Sequence, residues 1–231
     1  MRFVVVTGTG TGVGKTVTTA ALVCAAEADG AQVSVVKPYQ TGVSGDDPSD
    51  AATVMALSGC TDVHELVRLD DALAPESAAR LRGVGTPLVE DLVDDVAERG
   101  AGRDLTLVEG AGGVAVRLDP AGGTIATLAA ALRARGHRVD VVVVTTLGLG
   151  TLNHTELTVQ ALRSQEVEPF GLALGCVPEE LGLAERCNVE DLPRLTGVPV
   201  VARIPAGAGA MNAADFRAAA PTWIEWRRVA Y

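Results

Sequence analysis

Short blocks of consecutive apolar residues alternate along this chain with longer stretches whose apolar positions recur every three or four residues. Residues 3–6, 33–36, 105–108, 139–145, 171–174 and 198–204 are blocks of the first kind, dominated by valine, leucine and alanine. Such runs mark strands buried on both faces of a sheet. After the first block, Val17, Ala20, Ala21, Cys24, Ala25 and Ala28 recur at helical spacing and Gly30 ends the run. Residues 50–58, 87–98, 124–135, 154–164 and 212–227 read as further helices, with a less regular region between residues 58 and 82. Alternating strands and helices predict an α/β fold with a mostly parallel central sheet covered by helices on both faces. No repeat, low-complexity tract or linker divides the chain, so one domain over residues 1–231 is expected.

Composition narrows the classes of partner. The 231 residues are 48% hydrophobic but only 3% aromatic, so the core must be built from Val, Leu, Ala and Ile. A formal charge of −10 argues against nucleic-acid and anionic-membrane binding. Cys24, Cys60, Cys176 and Cys187 form no CxxC pair and no metal-ligand spacing, which predicts buried reduced thiols in a reducing compartment. The first residues carry an apolar run too short for a signal peptide. No stretch approaches the roughly 20 apolar residues that span a bilayer. A soluble cytoplasmic protein is expected.

In open parallel sheets, ligands bind beyond the carboxyl ends of the strands. The candidate chemical residues sort to those ends: residues 8–16, Lys37, Glu109, residues 148–153, Gly175 and Pro205. TGTGTGVGKT, residues 7–16, has the form of a phosphate-binding loop with five residues instead of four between Gly8 and Gly14. Backbone N–H groups of Gly12, Val13, Gly14 and the helix start through Val17 would cradle phosphate oxygens. Lys15 would reach the β- and γ-phosphates, and the Thr16 hydroxyl would ligate Mg²⁺. A glycine-rich turn without a ligand is the bland alternative, which Gly-Lys-Thr between an apolar strand and an apolar-periodic helix disfavours.

Acids and a second lysine follow. In LTLVEGAGG, Glu109 ends a strand before the turn of Gly110, Ala111 and Gly112, the position of a Walker-B metal ligand. In SGDDPSD, Asp47 reads as a helix N-cap, Pro48 as the first helical position and Asp50 as the third. Locally, Asp50 fits a metal ligand and a simple helix-start residue equally. Lys37 ends the second strand, held extended by Pro38. A cation there would offset charge developing on a transferring phosphate; an exposed strand-end lysine is the alternative. Thr41, in a turn just after, could donate a hydrogen bond into the same space. In GLGTLNHTE, Asn153 with Glu156 resembles a capping box at a helix start, which fits an anion site and an ordinary cap equally. His154 reads as a first-turn structural residue.

TGTGTGVGKT, KPYQTG, VEGAGG and GTLNH, in this order and spacing, closely resemble the dethiobiotin synthetase family over residues 4 to about 205, more weakly between residues 61 and 102 and after residue 211. The longer loop and KP-x-x-[ST]-G belong to that family's pattern. The resemblance implies a homodimer on the P-loop fold, using ATP and Mg²⁺ to join CO₂ to 7,8-diaminononanoate and close a ureido ring. A carbamate on one amine attacks the γ-phosphate, and the second amine then expels phosphate from the mixed anhydride. By position, Lys15 and Lys37 bind the phosphates, while Thr16, Asp50 and Glu109 ligate Mg²⁺. Thr11 and Thr41 contact the diamine or its carbamate. Gly150, Thr151, Leu152 and Asn153 hold the substrate carboxylate from the neighbouring subunit. Pro205, Ala206 and Gly207 close over adenine and ribose. Where the family often reads adenine with an asparagine, this chain has Gly175-Cys176, so other nucleoside triphosphates should also serve. A cobyrinic-acid-type amidotransferase is a related reading, but its glutaminase domain has no room in 231 residues. A partitioning or septum-positioning ATPase would carry an early loop lysine (K-G-G-x-G-K-T), and residues 7–12 hold only Thr and Gly.

Overall fold

A computed structural model describes residues 1–43 and 48–225. Its centre is one sheet of seven parallel strands in the order β3-β2-β4-β1-β5-β6-β7. These are β1 (Arg2–Gly8), β2 (Val33–Thr41), β3 (Val63–Leu69), β4 (Leu105–Glu109), β5 (Arg138–Thr145), β6 (Gly171–Val177) and β7 (Val200–Pro205). The helices are α1 (Lys15–Ala28), α2 (Asp50–Ser58), α3 (Pro75–Arg82), α4 (Leu92–Arg99), α5 (Ile125–Ala134), α6 (Thr151–Arg163), α7 (Leu183–Thr196) and α8 (Ala213–Ala219). Apolar strands with intervening amphipathic helices here pack as an open parallel sheet with a helical layer on each face.

Side chains alternate across each strand, and β1 shows how this builds two cores. Phe3 and Val5 point into a layer with α4, α5 and α6. Val4 and Val6 point into the other layer, with α1, α2 and α8. All four are essentially fully buried, each contributing roughly 2 kcal/mol of transfer free energy. An aspartate at Val4 would bury an unpaired charge in this layer and break it.

Several expected boundaries move, each for a tertiary reason. Lys37 does not end β2; the strand continues through Pro38 to Thr41 by pairing with the unforeseen β3, Tyr39 with Val67 and Thr41 with Leu69. Pairing with β4 stops at Val36, so Pro38 lies beyond the two-sided part of the ladder and its missing N–H is tolerated. The N-cap of α2 is Ser49, whose hydroxyl accepts from the Ala52 N–H at 3.2 Å, which makes Asp50 the first helical residue and not the third. Asp47 lies outside the described residues.

The expected Asn153 cap is also replaced. Helix α6 begins at Thr151 behind Gly150 in the left-handed region (φ 91°), and Asn153 sits within its first turn. Buried Thr145, Thr151 and Thr155 hydroxyls bond one another, and Thr151 Oγ1 donates to the Thr146 carbonyl at 2.7 Å, fixing the earlier start. The region before residue 82 contains β3 and α3, and α7 fills a stretch where no helix was expected. The expected helix over residues 87–98 starts only at Leu92. The closing helix is short: α8 gives way to a 3₁₀ turn at Ala220–Trp223, where Pro221 cannot continue it, and Ile224 then bridges to Ala202. Cys24 and Cys60 are buried as expected, whereas Cys176 and Cys187 are exposed. Among the described residues no helix is long and apolar enough to cross a membrane.

Candidate active site

At the carboxyl edge of the sheet, the phosphate loop leaves β1 and turns back into α1. Two glycines permit the turn, Gly12 at φ 75° and Gly14 at φ 97°, where a Cβ would be strained. The loop is tied at both sides: the Thr9 N–H donates to the Val144 carbonyl at 3.0 Å, and the Val114 N–H donates to the Gly8 carbonyl at 3.2 Å. No side chain caps α1, leaving its first N–H groups available to an anion. Lys15 curls over the loop and donates to the Gly10 carbonyl at 2.9 Å.

Beside the loop, β2, β4, α2 and the first turn of α1 bring four side chains together. Lys37 Nζ lies 2.9 Å from Glu109 Oε1 and 2.5 Å from Asp50 Oδ2, and also donates to the Gly110 carbonyl at 3.1 Å. Thr16 Oγ1 lies 2.9 Å from both Asp50 Oδ1 and Glu109 Oε1. Burial pulls the Lys37 ammonium toward neutrality, but Glu109 and Asp50 outweigh it and hold its pKa above the ordinary lysine value. Burial also opposes ionisation of Asp50, and Lys37 overcomes it to keep that carboxyl below its ordinary range. Lys15 goes the other way: burial, then repulsion from Lys37, lower its pKa, with Glu109 and Asp50 offsetting part. Two lysines, two carboxylates and a hydroxyl beside a phosphate loop form an arrangement for a bound polyphosphate.

The family described as an AAA domain matches residues 2–214. The ATP-dependent dethiobiotin synthetase BioD of Rhodococcus jostii (strain RHA1) is 51% identical over 225 residues, covering 97% of this chain and 95% of that one. The synthetase of the same name from Streptomyces coelicolor (strain ATCC BAA-471 / A3(2) / M145) is 47% identical, covering 97% and 92%. The chain belongs to the ATP-dependent dethiobiotin synthetase family. The cell division ATPase MinD of Pyrococcus furiosus shares the fold, with a TM-score of 0.56 at 16% identity, covering 99% of each chain.

The Thr16 hydroxyl has one proton and two carboxylate oxygens at 2.9 Å, so one of those oxygen pairs has no proton between it. A hard cation would satisfy all three oxygens at once, so the residues fit Mg²⁺. Among the described residues no cluster of three His, Cys, Asp or Glu exists, so water and phosphate oxygens would have to complete the shell, as Mg²⁺ prefers.

Two cavities adjoin. One, of about 660 Å³, is lined by Gly12, Gly14, Lys15, Thr16, Val17, Lys37, Thr41, Asp50, Ala111 and Gly112, most of the residues expected at the phosphates, metal and diamine. The second, of about 510 Å³, lies against His154 and Leu157 of α6. Thr11 lines both. Gly150, Thr151, Leu152 and Asn153 line neither, and neither do Gly175, Cys176, Pro205, Ala206 and Gly207.

Two residues that shape the site escaped the sequence reading. Gln40, buried in β2, accepts from the Asp50 N–H through Oε1 at 3.1 Å and so aims the start of α2 at Lys37. Its signal was a polar residue in KPYQT with no assigned role. Asp119 is buried and accepts from the Val89 N–H at 2.7 Å and the Gly123 N–H at 2.9 Å, fixing the loop that carries Ala111 and Gly112. Nothing in the sequence pairs Asp119 with residue 89, so that tie was not legible.

Proposed function

We propose that this chain catalyses the ATP- and Mg²⁺-dependent carboxylation and ring closure of 7,8-diaminononanoate to dethiobiotin, releasing ADP and phosphate. The observation that carries the reading is the convergence of Lys15, Lys37, Thr16, Asp50 and Glu109 beside the phosphate loop, in a chain 51% identical to a relative named for this synthesis.

The loop amides of Gly12, Val13, Gly14 and the start of α1 cradle the triphosphate, with Lys15 leaving the Gly10 carbonyl for a phosphate oxygen. Thr16, Asp50 and Glu109 would hold Mg²⁺, which would supply positive charge to offset that of the polyphosphate. Lys37, kept protonated by its two carboxylates, stands where a carbamate and a γ-phosphate would meet. There it neutralises charge as the carbamate oxygen bonds to phosphorus and the bond to ADP breaks. The second amine then attacks the carbamoyl carbon, the phosphate leaves and the ring closes. Thr11 and Thr41 hold the diamine end. The start of α6, where Gly150 and Asn153 are exposed, would hold the substrate carboxylate of a neighbouring subunit in a homodimer, residues 150–153 serving together. Cys176 and Pro205 to Gly207 take the nucleoside. One shared sheet supports a single domain over residues 1–231, and the reading places it in the cytoplasm.

The test is incubation with diaminononanoate, bicarbonate and MgATP, followed by mass spectrometry; dethiobiotin is the expected product, and ADP without it refutes the assignment.

A further inference from the structure

Strand β6 lends no side chain to the two lysines or the carboxylates, yet it forms the floor of the phosphate loop. A Cβ placed on Gly175 would lie 2.0 Å from the Val13 carbonyl oxygen and 2.6 Å from Val144 Cγ1. Seen from the loop, a Cβ on Gly14 would lie 2.4 Å from the Gly175 carbonyl oxygen. The two glycines therefore meet backbone to backbone, Gly14 in the left-handed region and Gly175 buried inside the strand. Real Cβ contacts do not fall below 3.0 Å, so a side chain at residue 175 forces the Val13 peptide to move by about 1 Å.

The loop cannot absorb that movement by turning away. Its exit from β1 is held on both sides by the Gly8 and Thr9 bonds to Val114 and Val144, and at its far end the Gly14 carbonyl accepts the Thr18 N–H at 2.9 Å. On the other side, β6 runs on to Val177, whose carbonyl accepts the Ala206 N–H at 2.8 Å. One strand thus supports the phosphate loop and anchors the segment that would cover the nucleoside.

We infer that Gly175 is a positioning residue for the triphosphate: its missing side chain lets β6 seat Val13 and Gly14 so that the loop amides meet the phosphates. Gly175 acts through the loop and does not touch the base. The inference rests on the reading of residues 8–16 as a nucleotide loop.

The test compares wild type, Gly175→Ala and Gly171→Ala by calorimetric titration with Mg·ADP and with magnesium tripolyphosphate, which has no base. Gly171 is the control: its added Cβ would strike the Val201 side chain at 2.5 Å, a clash in the same strand outside the loop. Gly175→Ala should weaken both ligands by the same factor, about ten-fold or more, and raise KM for ATP while leaving KM for the diamine unchanged. Gly171→Ala should lower Tm and leave both affinities alone. Equal affinities in wild type and Gly175→Ala overturn the inference, and so does a loss confined to Mg·ADP, which would place the effect at the base. A wild type that binds neither ligand overturns the nucleotide reading itself. If Gly175→Ala does not fold, the double variant Gly175→Ala/Val144→Ala relieves the side-chain half of the clash. The Val13 carbonyl half remains, so affinity must still fall, and wild-type affinity in that variant refutes the seat.

Discussion

Lys37 Nζ and Glu109 Oε1 form an ion pair 2.9 Å long in which both side chains are almost wholly buried. A buried pair contributes little net stability, but removing one partner strands the other charge, at a cost of about 3–5 kcal/mol. Lys37→Ala should therefore do two separable things. Turnover should fall to background in an initial-rate assay at saturating substrates, because the developing phosphoryl charge loses its partner. The melting temperature of the nucleotide-free protein should also drop, and Mg²⁺ with ADP should recover part of that loss by returning positive charge to Glu109. Dethiobiotin formation at the wild-type rate would remove Lys37 from the reaction.

Asp50 yields a pH prediction with a defined sign. Its folded pKa lies below the unfolded 3.8, because Lys37 overcomes the burial that opposes ionisation. A carboxyl so depressed contributes stability that is present above the unfolded pKa and lost as pH falls through the folded one. Lys37, with its pKa raised above 10.5, contributes below that pH and loses its contribution only as pH rises through the folded value. The lowered Lys15 acts oppositely, its penalty easing as pH rises from its folded pKa toward 10.5. The pair should thus be at full strength across neutral pH. Thermal melts of wild type and Asp50→Asn should differ there by an amount that shrinks once the pH drops below the ordinary aspartate value. A difference constant down to strong acid would show that the Asp50 charge does not stabilise the fold.

The parts of this molecule that local chemistry specifies were legible in the sequence. Glycine spacing, Gly14-Lys15-Thr16 and Glu109 at a strand end need only a few adjacent residues to be recognised. What was hidden depends on partners distant in the chain. Strand β3 lies at the sheet edge with half-buried residues, so its apolar pattern is diluted. Helix α7 buries Asn188, Leu192 and Thr196 along one stripe, two of them polar, and carries Pro193 inside it. Both features erase the periodic signal. At α6 the local cue, Asn153 with Glu156, lost to buried threonine hydroxyls and to Asn188, which donates to the Leu147 carbonyl at 2.7 Å. In the site itself, Lys37 was found by its neighbours, but its pairing with both Asp50 and Glu109 requires the three-dimensional arrangement of β2, α2 and β4.

Thr11 occupies the extra length of the phosphate loop and faces both cavities. A residue shared between them suits contact with the second substrate, and the longer loop allows it without disturbing Gly14 and Lys15. Thr11→Val should raise KM for the diamine about ten-fold, the scale of one lost hydrogen bond to a charged or polar group, and leave KM for ATP unchanged. If the diamine KM stays at its wild-type value, the loop binds nucleotide alone.

Base preference should be weak. A base edge is read strongly only where a buried donor or acceptor is left unpaired by the wrong base. Gly175 offers no side chain and has no room for one, since a Cβ would collide with the Val13 carbonyl. Cys176 is exposed and carries only a weak thiol donor. On the proposed reading the phosphates would meet two lysines, the loop amides and the metal ligands, none of which senses the base. Initial rates with ATP, CTP and GTP at equal subsaturating concentrations should therefore agree within about ten-fold, the discrimination that about 1.4 kcal/mol provides. A preference for ATP of about 1,000-fold, about 4 kcal/mol, would require a buried base-reading group and would show that neither Gly175 nor Cys176 governs that part of the site.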